Sequence, residues 1–131
     1  MTPLAEAAAR EVIELHAFFV EAFTGRKREF RRAEQAFSPD LVMVSPEGRR
    51  ANRLQILDAL AKARARPDFR ISIHDIWPIS ETQHSVLLHY IEEQYRDGET
   101  SKRVSVALFE AAPDAPCGVV WRYLQETWIA V

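Results

Sequence analysis

The sequence predicts an α+β fold in which helices come first and an antiparallel meander of strands follows. Three observations predict it. Apolar residues recur at three- and four-residue spacing through the first half of the chain, alternate with polar ones at period two from Phe69 onward, and flank an Asp97-Gly98 pair that marks a hairpin turn. At 131 residues, 47% apolar and 27% charged, the chain has the size of one domain and can bury one core without staples. Residues 1–131 are read as that single domain.

Leu4, Ala8, Val12, Leu15, Phe19 and Phe23 make the apolar stripe of a long first helix. Thr2 suits its N-cap, Pro3 its first position, and Gly25 its left-handed stop. A second helix is expected from about Lys27 to Phe37, ended by Ser38-Pro39-Asp40. Leu41 to Val44 reads as a short buried strand closed by the turn Ser45-Pro46-Glu47-Gly48. Asn52 then caps a third helix whose stripe is Leu54, Ile56, Leu57, Leu60 and Ala61, and Pro67 forbids its continuation. Strands follow at Phe69 to Trp77, Ser85 to Arg96, Thr100 to Glu110 and Val119 to Val131.

Composition excludes several classes. The net charge of −2 argues against a polyanion binder, and the basic run Arg26-Lys27-Arg28 with Arg31 and Arg32 lacks interleaved stacking aromatics, so no nucleic-acid partner is expected. No stretch reaches the roughly 20 apolar residues of a membrane span, and Met1 to Glu6 shows no secretory pattern, so the expected compartment is the cytoplasm. The single cysteine, Cys117, allows no internal disulfide, and with no histidine near it in sequence it reads as structural. No two histidines have i, i+4 or i, i+2 spacing, so no metal is expected. Gly-rich phosphate loops and Gly-x-Ser-x-Gly elbows are absent, and no cofactor is predicted.

The Asp97-Gly98 turn fixes a register. A two-residue type I′ turn places Glu92 opposite Arg103, Tyr90 opposite Ser105, Leu88 opposite Ala107 and Val86 opposite Phe109, with Leu87 and Leu108 paired on the reverse face. One face of this hairpin is aliphatic; the other mixes aromatic, small and charged side chains, so both faces are expected to be covered. In the last strand Trp121, Tyr123, Gln125, Thr127 and Ile129 are read as one face, alternating with Arg122, Leu124, Glu126 and Trp128.

The long first helix, the helix pair, the Pro46-Glu47-Gly48 turn after a short strand and the ending Trp121-Arg122-Tyr123-Leu124-Gln125-Glu126-Thr127-Trp128 together resemble the nuclear transport factor 2-like superfamily. The ending is most similar to the SnoaL-like and calcium/calmodulin-dependent kinase II association-domain-like group, with Gln125 and Thr127 where that group carries two histidines. The resemblance implies a cone-shaped, cystatin-like architecture: a strongly bent antiparallel sheet around the long helix, a pocket at the wide end, and a homodimer through the outer sheet face. It also places the mixed face on the concave side. Where the steroid isomerases of this fold carry their base and two oxyanion donors, this chain has Ser45, Phe18 and Ser105, so that chemistry is not expected.

The expected ligand set is therefore Tyr90, Glu92, Arg103, Ser105, Tyr123, Gln125 and Thr127, with Gln94 beside them, around an unidentified small organic molecule. Glu92 facing Arg103 reads either as an ordinary cross-strand ion pair or as a pocket acid held ionised. His16, beside the buried stripe of the first helix, is the imidazole best placed for acid–base work. Three functions follow: a binding protein, a SnoaL-like lyase, isomerase or hydrolase using Glu92 or His16, or a dimerisation module whose cavity is filled by its own aromatics.

Overall fold

The computed structural model describes residues 1–27 and 29–130. Helix α1 spans Pro3–Phe23, with Thr2 Oγ1 accepting from the Ala5 N–H at 3.1 Å and Pro3 inside its first turn. Its stripe is buried at Ala5, Ala8, Val12, Leu15 and Phe18, and two ionisable residues, Glu11 and His16, are buried with it. Gly25 follows at φ 80°, the left-handed stop the sequence predicts.

The second helix is shorter than expected. Helix α2 covers Arg31–Ala36, and strand β1 begins at once, as Phe37–Val44. Ser38-Pro39-Asp40 therefore lies within a strand rather than ending a helix. Pro39 is tolerated because the pairing of β1 shifts between Phe37 and Val42, where a missing N–H breaks no regular ladder. Arg28, in the basic run, lies outside the described residues, as does Val131 at the end of the predicted last strand.

After the turn at Gly48 (φ 83°), a short strand β2, Arg50–Asn52, returns along β1. Asn52 then starts helix α3, Arg53–Lys62, with a capping box: its side chain accepts from the Gln55 N–H and the Gln55 side chain accepts from its own. Strands β3 (Arg70–Glu81), β4 (Ser85–Arg96), β5 (Glu99–Ala111) and β6 (Val119–Trp128) complete the chain. β3 runs past the predicted Trp77 because a pairing shift at Asp75, φ 55°, lets it bend and stay paired with β4.

The six strands form one curved sheet in the order β2-β1-β6-β5-β4-β3. It is antiparallel at every pairing except β1 with β6, which is parallel. The β4–β5 hairpin has the predicted register, Glu92 opposite Arg103 and Tyr90 opposite Ser105. Asp97 and Gly98 both take the positive φ that a type I′ turn demands, 54° and 81°. The mixed face, with Val86, Leu88, Tyr90, Ala107 and Phe109 all 0–1% exposed, is the inner one and packs on α1. Leu87, Ile91, Val104, Val106 and Leu108 form the outer face and remain half-buried.

Strand β6 departs from simple alternation. Trp121 pairs with Phe109, but Tyr123 pairs with Leu108, so one extra residue, Arg122, is accommodated as a bulge. Beyond it the faces exchange: Leu124 and Glu126 turn inward, Tyr123, Gln125 and Thr127 outward. Among the described residues no helix is long and apolar enough to cross a membrane.

Candidate functional site

Between α1, α3 and the inner sheet face lies a cavity of about 360 Å³. Most of its wall is apolar, from Leu15, Phe19 and Phe23 of α1, Ile56 and Leu60 of α3, and Phe37, Leu41, Trp121 and Leu124 of the sheet. Exposed Gln55 and Ala59, with half-buried Met43, Ile71 and Gln94, mark the side reached by solvent. The remaining polar groups are concentrated in one deep cluster: His16, Glu92, Arg103 and Glu126, each 9% exposed or less.

The His16 imidazole is oriented from both sides. Its Nδ1 lies 2.6 Å from the Val12 carbonyl, which can only accept, so Nδ1 carries a proton. Its Nε2 is 3.0 Å from Glu92 Oε1. Burial alone would lower the His16 pKa, but the charge and hydrogen bond of Glu92, with the Val12 carbonyl, outweigh it and raise the value. Burial likewise works to raise Glu92, and the His16 charge and hydrogen bond, joined by the amide of Gln94, prevail and lower it. Both shifts favour the arrangement in which His16 carries the proton and Glu92 the negative charge.

The expected Glu92–Arg103 ion pair does not form. The two residues are cross-strand neighbours, but Glu92 is taken by His16 and Gln94, while Arg103 Nη1 turns to Glu126 at 3.4 and 3.5 Å. These contacts are long for a charged pair. Arg103 also lies 4.7 Å over the Trp128 ring, and its Nε is buried without a partner among the described residues. Glu126 is consequently poorly stabilised as an anion: burial, with Glu92 nearby and Arg103 opposing, pushes its carboxyl up to about 7.

Of the predicted site residues, Glu92 and Arg103 line the cavity with His16 and Gln94. Tyr90 and Ser105 face each other on the inner sheet face, fully buried, but neither belongs to the cavity wall, and their hydroxyls have no hydrogen-bond partner among the described residues. Burial pushes the Tyr90 hydroxyl well above its ordinary value, so it stays protonated. Tyr123, Gln125 and Thr127 are corrected to the outer face by the bulge at Arg122; Tyr123 donates to Gln125 there at 2.6 Å. Glu126 and Leu124 replace them inside. A signal was available in the sequence, since Val119-x-Trp121-x-x-Leu124 lengthens the apolar spacing from two to three where the bulge occurs.

Sequence reasoning also missed a buried triad behind the cavity wall. Glu11 receives Arg32 Nη1 and Nη2 at 3.1 and 2.8 Å and the Trp121 indole N–H at 3.0 Å. Its signal was a carboxylate at helical spacing from Ala8 and Leu15, on the buried stripe itself. Cys117 lies 3.9 Å from Arg32, and burial pushes its thiol up to about 11, so it is not a thiolate at neutral pH.

No protein-family model matches the sequence, and no curated protein matches it significantly. Solved structures do match. A "NTF-2 like" protein of unknown function from Pseudomonas aeruginosa superposes with a TM-score of 0.84 at 24% identity, over 95% of this chain and 99% of that one. The chain has the nuclear transport factor 2-like fold. The S. rosetta CaMKII hub shares this fold at TM-score 0.79 and 10% identity, over 95% of both chains. An uncharacterised cystatin-like protein from Caulobacter vibrioides shares it at 0.71 and 16%, over 98% of this chain and 92% of that one. Within this nuclear transport factor 2-like fold Phe18 is packed into the core and Ser45 carries the turn after β1, so neither supplies an acid or a base.

Proposed function

We propose that this protein, acting as one domain over residues 1–131, binds a small organic molecule with an apolar body and one polar end. The observation that supports it is the distribution of charge around the cavity: apolar on most sides, with Arg103, Glu126, Gln94 and the His16–Glu92 pair gathered in one cluster. A few convergent polar groups in an apolar hollow fix a ligand's orientation. The unpartnered Nε of Arg103 and its long contacts to Glu126 leave donor capacity for the polar end of the ligand.

Native mass spectrometry of freshly purified protein tests this. A defined extra mass, released on denaturation, is expected in the wild type and not in Ala59→Trp, which places an indole at the exposed side of the cavity. Equal extra mass in both proteins would locate the ligand elsewhere. Arg103→Met should weaken binding of octanoic acid, used as the probe, by about tenfold or more, as expected when a charge-assisted hydrogen bond is lost. Unchanged affinity would remove Arg103 from the site.

A second reading, acid–base catalysis, is favoured by Glu126. A carboxyl that titrates at about 7 inside a cavity is suited to accept and return a proton near neutral pH. Glu92, held ionised by His16, is suited to positioning instead.

The half-buried aliphatic outer face supports a homodimer through the sheet. The cross-strand pair Leu87 and Leu108 lies within it, so Leu87→Arg or Leu108→Arg should convert a dimer to monomer in size-exclusion chromatography with light scattering. A dimer that survives both would move the interface off this face.

A further inference from the structure

The cavity is lined by α1 from Leu15 to Phe23. His16 belongs to its polar cluster and Phe23 lines it about two helical turns on, roughly 10 Å away at 1.5 Å per residue. Leu60 of α3, 6% exposed, is also part of its wall. It also lines a second hollow of about 270 Å³, whose other lining residues include Ala22, Gly25, Lys27, Phe30, Ala61 and Ala65. Leu60 lines both spaces, the only residue common to the two among those described. Five of its neighbours in the second hollow are alanine or glycine, with Phe30 and the Lys27 side chain completing the lining, and at Gly25 an added Cβ would come within 3.2 Å of Ala65. Leu60 is thus the side chain that the polar-ended cavity and the second hollow have in common.

Resting on the binding reading above, we infer that Leu60 sets the length of the ligand, and that the ligand class is a linear amphiphile. Its polar end lies at Arg103 and Glu126 and its apolar chain runs along Phe19 and Phe23 to stop against Leu60. The physical reason is that a close-packed wall cannot be indented: each further methylene would have to displace Leu60 from a buried position. Shorter chains leave the Phe23 end unfilled and lose contact area. Affinity should therefore climb with chain length to an optimum and then fall.

Isothermal titration with straight-chain saturated acids from hexanoic to tetradecanoic measures this. In the wild type, acids beyond the optimum should bind at least tenfold more weakly than the best one. Leu60→Ala should move the optimum to longer chains by joining the two hollows. Adding Ala61→Phe, an exposed position that lines only the second hollow, should fill the extension and return the optimum to its original place. Circular dichroism confirms that each variant is folded, and Leu60→Val, a smaller truncation, carries the test if Leu60→Ala is not. The same length profile in wild type and in the folded Leu60 variant would overturn the assignment while leaving the binding reading standing. Acids that bind neither wild type nor any variant would overturn the binding reading itself.

Discussion

Glu126→Gln is expected to match wild type in stability near pH 5 and to exceed it near pH 8. Inside the fold the Glu126 carboxyl titrates at about 7, against an ordinary 4.5. Between those values the folded state keeps a proton that the unfolded chain has released, so stability falls as pH rises through the interval. The loss is on the order of 3 kcal/mol at about 1.4 kcal/mol per pH unit. Glutamine imitates the protonated carboxyl and cannot lose a proton, so it removes this slope. His16 acts in the same direction: its raised pKa gives a contribution fully present below 6.5 and lost as pH climbs through the folded value. Glu92, lowered beneath 4.5, contributes above that value and is lost as pH falls through its folded value. Wild type should thus be most stable near pH 4.5 to 5, where Glu92 is ionised and Glu126 has yet to cost stability, and urea midpoints measured across pH check both arms. A Gln variant with the wild-type slope would show that another group carries the titration.

The second large effect is expected at Glu11→Ala, a loss of about 3 kcal/mol in urea or thermal unfolding. The carboxylate is fully buried and satisfies both Arg32 nitrogens and the Trp121 N–H. Truncating it leaves the half-buried Arg32 with only its longer 3.5 Å contact to Glu14 and leaves the buried indole donor unpaired, a larger penalty than the favourable energy of the contacts themselves. The double change Glu11→Leu with Arg32→Leu should recover most of the loss, since no charge is then left unpaired. Trp121 is also a wall of the cavity, so Glu11→Ala should weaken octanoate binding as well. A loss under about 1 kcal/mol would mean that water reaches Arg32 readily enough to replace its partner.

Local chemistry was legible in the sequence. The Thr2 and Asn52 caps and the Asp97-Gly98 turn each depend on residues within a few positions of one another, and each appears where the sequence places it. The turn carried most information, because a type I′ geometry fixes an entire ladder: it alone brought Glu92 opposite Arg103 and turned both toward the inner face.

What the sequence left open was decided by contacts between distant segments. The bulge at Arg122 exchanged Tyr123, Gln125 and Thr127 for Leu124 and Glu126, because β6 must pair with both β5 and β1 while keeping Trp121 and Leu124 on the inner face. A one-residue shift inverts every side chain beyond it. Likewise, register gave Glu92 a neighbour in Arg103, but α1 packing across the sheet supplied a closer partner in His16 and left Arg103 to Glu126. Sequence alone determined the long first helix, the capped third helix and the central hairpin with its two faces, since those follow from short-range sterics and periodicity. Which charges meet in the cavity is a property of long-range packing, where separations of a few ångströms decide each partner and no local pattern records them.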